Sequence, residues 1–106
     1  MATHVSREGC DGATLPAVVP FEVDCPSRLS WELGSRVVGD DDATLRGEWE
    51  HTGSSWTLAL YRVTTHTDVV RLRTPVGRER FYGAARMDLD AAVPTLADAP
   101  TWRRRA

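Results

Sequence analysis

Residues 45–60 read LRGEWEHTGSSWTLAL, and this stretch decides the fold. Leu45, Gly47 and Trp49 alternate with Arg46, Glu48 and Glu50. After Thr52-Gly53 the same period of two returns in Trp56, Leu58 and Leu60. That period marks a strand with one buried face, and Gly53 suits the positive φ of a hairpin turn. Folding about Thr52-Gly53 predicts Trp49 opposite Trp56, Gly47 opposite Leu58 and Leu45 opposite Leu60, with every apolar side chain on one face. At Tyr61 the phase changes. Tyr61 and Val63 carry the apolar character there, and a turn at His66-Thr67 would set them against Leu72 and Val70. A β-bulge near Leu60-Tyr61 accounts for the change.

Outward from this hairpin, residues 68–74 predict another strand, Thr74-Pro75-Val76-Gly77 a turn, and residues 79–87 a last strand weakened by Gly83, Ala84 and Ala85. Leu89, Ala92, Val93 and Leu96 then recur at helical spacing. Pro94 fits only where no backbone N–H is missed, so Asp90 is the predicted cap of a short helix over 91–98. On the N-terminal side, Leu29, Trp31 and Leu33 alternate as a half-buried strand. Val19, Phe21 and Val23 alternate as another, confined to an edge by Pro20. Gly39-Asp40-Asp41-Asp42 reads as a turn. The expected fold is α+β: a mainly antiparallel, strongly curved meander sheet of five to six strands with one short C-terminal helix. This domain spans 18–102, after a flexible lead-in over 1–17 and before a basic tail at 103–106.

The 106 residues amount to one domain, and the apolar (42%) and charged (26%) fractions exclude a wholly disordered chain. No apolar run approaches the ~18 residues of a membrane span, and no signal peptide is visible, so no membrane partner is expected. Cys10 and Cys25 are the only cysteines and form no CxxC, so free thiols in a reducing, cytoplasmic setting are expected, with a Cys10–Cys25 disulfide as the alternative. Every basic side chain other than histidine is Arg, and Lys, Asn, Gln and Ile are absent. This codon signature points to a high-GC bacterium or a virus of one. The net charge of −2 is unevenly placed: residues 1–61 hold four Arg and ten acids, residues 62–106 nine Arg and five acids. Such asymmetry marks either an anionic partner or two halves that neutralise each other on folding.

The arginines make the candidate binding face. Arg71 and Arg73 share one phase, and Arg78, Arg80, Tyr82 and Arg86 another. With the phases matched across paired strands they would form one basic face bearing an aromatic ring, suited to phosphates or single-stranded nucleic acid. Glu48 and Glu50 share a face, as paired carboxylates for acid–base work do, although a solvated face beside Arg46 explains them more simply. His51 and His66, with Asp68, have ligand chemistry but lie at opposite ends of one strand, too far apart for one metal. Asp40-Asp41-Asp42 lacks the spacing of a calcium loop. Ser54 and Ser55 sit in a turn, without the sequence context of a catalytic nucleophile. Trp31, Trp49 and Trp56 read as core, and Trp102 as a residue that docks on the sheet or anchors an interface. No catalytic residue, metal or cofactor is expected.

These features point to a small non-catalytic binding module acting on a protein partner in a regulatory, inhibitory or accessory role. An open sheet edge makes a homodimer the expected oligomer. Two other readings are binding of nucleic acid or another polyanion through the arginine face, and a small enzyme or ligand carrier with a pocket enclosed by the sheet.

Overall fold

The structure, a computed structural model, describes residues 14–105. Six strands form one antiparallel sheet: β1 (Ser27–Leu29), β2 (Thr44–His51), β3 (Thr57–Arg62), β4 (Thr67–Arg73), β5 (Glu79–Ala85) and β6 (Trp102–Arg104). Two helices complete it, α1 (Trp31–Val38) and α2 (Arg86–Asp98). The spatial order is β1-β5-β4-β3-β2-β6, so β2 to β5 are a meander and the first and last strands close onto its two sides. The sheet stays open, with β1 and β6 as its edges. This is the expected α+β antiparallel architecture with a C-terminal helix, plus a helix that the alternation at 29–33 concealed. No helix among the described residues is long and apolar enough to cross a membrane.

The central hairpin keeps the predicted phase and shifts its register. Trp49 pairs with Leu58, Gly47 with Leu60 and Leu45 with Tyr61. The turn is longer than Thr52-Gly53 alone, because the His51 amide donates to the Trp56 carbonyl at 2.9 Å. Trp56 therefore lies at the hairpin's end and only partly buried, and does not face Trp49. The bulge lies on the facing strand: the register steps between Leu45 and Gly47, leaving Arg46 as the extra residue opposite Leu60-Tyr61. Tyr61 accordingly meets Val69, not Leu72.

One face of the sheet carries the main core. Leu58, Leu60, Val70, Leu72, Tyr82 and Ala84 meet Leu89, Ala92 and Leu96 of α2. Val19 and Phe21 join this core from a segment that forms no strand, so the predicted edge strand at 18–23 is an irregular cover instead. Trp102 is buried and its indole N–H donates to the Val18 carbonyl at 3.1 Å, which ties that cover to β6. Arg103 and Arg104, expected in a tail, pair with Glu50 and Trp49 as part of β6.

The helices differ from expectation in physically specific ways. Ser30 caps α1, its hydroxyl accepting from the Leu33 amide at 3.2 Å. This cap turns Trp31–Val38 into a helix where alternation predicted a strand. Gly34 is the contact point: a Cβ there would lie 2.1 Å from Phe81 Cγ, so the helix approaches the sheet closer than any other residue permits. α2 starts five residues before the predicted 91, without a side-chain cap, and holds Pro94 in its interior. The Arg86 amide instead donates to the His66 carbonyl at 2.8 Å. Interior proline costs about 3 kcal/mol, and burial of Leu89, Ala92 and Leu96 offsets it. Finally, Cys25 is disulfide-bonded, not a free thiol. Cys10 lies outside the described residues, as do residues 1–13 of the predicted lead-in.

Candidate functional site

The hairpin between β4 and β5 pairs Arg73 with Glu79 and Arg71 with Phe81, and sets Leu72 against Arg80 and Val70 against Tyr82. Side chains alternate across a sheet, so this register sends the two arginine groups to opposite faces. Arg71 and Arg73 lie on the outer face. Arg80 and Tyr82 lie on the core face at its rim, and Arg78 belongs to the loop before β5. Arg86 starts α2. The six residues therefore do not make one basic face.

On the outer face the guanidinium groups are paired. Arg71 lies 3.5 Å from Glu48 and 3.8 Å from Glu79, and 5.4 Å above the Tyr61 ring. Arg73 meets Glu79 at 3.1 Å, and Arg103 meets Glu50 at 2.9 Å. Glu48 and Glu50, the paired carboxylates of the sequence, are thus bound to arginines from the second half of the chain. The charge asymmetry is in part neutralised internally.

On the core face a second ionic group is sealed in. Asp68, fully buried, accepts from Arg46 Nη1 at 2.6 Å and from Arg86 Nε at 3.0 Å. Arg46 also reaches Asp90 at 2.6 Å, and Arg86 donates to the Thr64 carbonyl. Burial alone would lower the Arg46 pKa. Hydrogen bonds and attraction from Asp68 and Asp90 outweigh it and raise the value, so Arg46 stays charged. The bulge at Arg46 is what aims it at Asp68. This cluster joins β2, β4 and α2 and has the character of a structural tie.

The remaining candidates resolve locally. His51 Nδ1 accepts from the Gly53 amide at 3.1 Å and lies 3.0 Å from Ser54 Oγ, while its ring stands edge-on to Trp102. These contacts shape the β2–β3 turn. Asp40 Oδ1 accepts from the Asp42 amide at 2.9 Å, a self-contained turn. Among the described residues no three His, Cys, Asp or Glu side chains converge as metal ligands.

The feature that sequence reasoning missed is on α1. The helix packs mainly on β5 and β4 on the outer face. Beside it runs an open groove lined by Leu29, Leu33, Val37, Val63 and Val69, with His66 at its rim. Trp31 is 60% exposed and Leu33 45% exposed. Ser30 before an apolar residue was the available signal, since Trp31 and Leu33 fit a strand face and a helix end equally well.

No protein-family model, curated protein or solved structure matches this chain. The geometry alone therefore carries the functional argument.

Proposed function

We propose that this chain is a small non-catalytic binding module that docks on a protein partner, in an accessory or inhibitory role, through α1 and the groove beside it. One observation carries the reading: Leu33, 45% exposed, lines an apolar groove, and Trp31 on the same helix is held in solvent, on a sheet face whose other half is covered by ion pairs. Exposed apolar side chains beside an apolar groove mark interaction surfaces, and Trp is among the residues enriched at interface hot spots. Gly34 locks the helix backbone against Phe81, so the two side chains are presented from a rigid element. Neither side chain is needed to fill the core, which makes their replacement a clean test.

The test compares wild-type chain with Trp31→Asp and Leu33→Asp as baits in nuclease-treated host lysate. The reading expects a protein retained by the wild type at ordinary salt and lost from both variants, with unchanged circular dichroism. Removal of a central Trp anchor costs about 2 kcal/mol or more of binding, some thirtyfold in affinity. A partner retained equally by all three baits, or released by nuclease, contradicts it.

A further inference from the structure

Four arginines among the described residues are half-buried: Arg46, Arg71, Arg80 and Arg86. Three of them face carboxylates within 4 Å: Arg46 and Arg86 meet Asp68, and Arg71 meets Glu48 and Glu79. Arg80 faces none among the described residues. A guanidinium taken partly out of water without a counter-charge is unfavourable unless something else supplies the charge.

The surroundings of Arg80 are specific. It lies one residue past the point where β1 stops pairing with β5, so its outer side is not covered by a strand. Two clefts meet at it. The first is lined by residues 14–17, Arg28, Arg80 and Tyr82; the second by Pro16, Trp56, Thr74, Val76, Arg78 and Arg80. Among the described residues neither lining contains a carboxylate. Arg28, which also lines the first cleft, is itself engaged in another interaction. Arg78 is exposed at the mouth of the second, where its amide donates to Thr74 Oγ1 at 3.1 Å. Tyr82 is only 2% exposed, and no hydrogen bond within the described residues occupies its hydroxyl. The second cleft thus holds two arginines and an indole, and the nearest acid on the strand, Glu79, faces the other side of the sheet with Arg73.

We infer that Arg80, with Arg78 in the second cleft, binds the phosphoryl group of a small ligand, and that Trp56 flanks the remainder of that ligand. Guanidinium groups from two directions suit the several oxygens of a tetrahedral phosphate better than the two of a planar carboxylate. The indole and the aliphatic Val76 offer a flat apolar wall to whatever the phosphate carries. The site lies on the core face, away from the groove beside α1, and stands or falls independently of the docking reading.

The experiment is an NMR titration of the full chain, following arginine Nε–H and tryptophan indole signals, with inorganic phosphate and separately with a nucleoside monophosphate. Sodium chloride at matched ionic strength is the control. Saturable shifts at Arg80 are expected with both probes and not with chloride. Tighter binding of the nucleoside monophosphate together with a Trp56 shift identifies an organic phosphate, and equal binding of both identifies free phosphate. Arg80→Gln and, separately, the surface change Arg78→Ala should each weaken binding at least about tenfold, the loss of one charge-assisted contact. Arg71→Ala on the opposite face should leave it unchanged. Absence of saturation with either probe overturns the site, as does unaltered binding by Arg78→Ala and Arg80→Gln. Binding confined to a single-stranded oligonucleotide, with steep salt dependence, also overturns it.

Discussion

The two faces of the sheet are written in the same alternating code and end up covered in opposite ways. On the core face, α2 and residues 18–23 lie over Leu58, Leu60, Val70 and Leu72, and even the charged Asp68 is enclosed. On the outer face, α1 packs mainly on β5 and β4, and long side chains shield β3: Arg71 over Tyr61, with Glu48 and Glu79 beside it. Ala59, between them, is nearly inaccessible all the same. Alternation tells which residues share a face. It does not tell whether a helix, an ion-pair layer or a partner will lie on it.

Removing charge from each face is the strongest way to break this comparison. Asp68→Ala leaves Arg46 and Arg86 without their shared buried carboxylate, and should cost about 3–5 kcal/mol in urea unfolding. Arg73→Ala, at the exposed margin of the outer lattice, should stay within about 1 kcal/mol. Similar losses for the two would mean that the faces are not distinct environments.

Gly34→Ala addresses the contact of α1. In the helix, the new methyl would meet the buried Phe81 ring, and a loss of about 1–3 kcal/mol is expected. Were residues 29–33 the strand that alternation suggests, the same change would stabilise by about 0.5–1 kcal/mol. The sign of the shift in denaturation midpoint separates the two.

Pro94→Ala sharpens the account of α2. With the helix beginning at Arg86, alanine restores a missing backbone bond to Asp90 and should stabilise by about 2 kcal/mol after the gain in unfolded-chain freedom. A helix beginning at 91 would show almost no gain, because residue 94 would have no bond to lose. The smallest effect expected is chemical: Cys25 should resist alkylation in the native chain until reductant is added.

Much of the fold was legible because β2 to β5 have long alternating runs whose apolar sets cannot slip by one residue without facing water. The hairpin's register was not legible, since a turn of two residues and one of four keep the same phase, and the local contact of His51 with Trp56 decided between them. Leu29, Trp31 and Leu33 were too few to distinguish a strand from a helix start. Trp102-Arg103-Arg104 has no alternation at all, and becomes a strand only because β2 offers it an edge. The candidate arginines were found as residues and misplaced as a group, for the same reason: the five-residue loop between Arg73 and Glu79 sets which arginines face each other across the sheet. Arg80 stands out only once its neighbours' carboxylates are seen to be taken.

The central claim is that the outer face is divided into a docking half at α1 and a self-satisfied ionic half. Site-specific photocrosslinking tests it most directly. A photoreactive residue is placed at Leu33 in one preparation and at Arg73 in another, and each is irradiated in nuclease-treated host lysate. The account predicts a discrete crosslinked protein from position 33, competed away by unlabelled chain, and none from position 73. The same adduct from both positions, or from 73 alone, would contradict it.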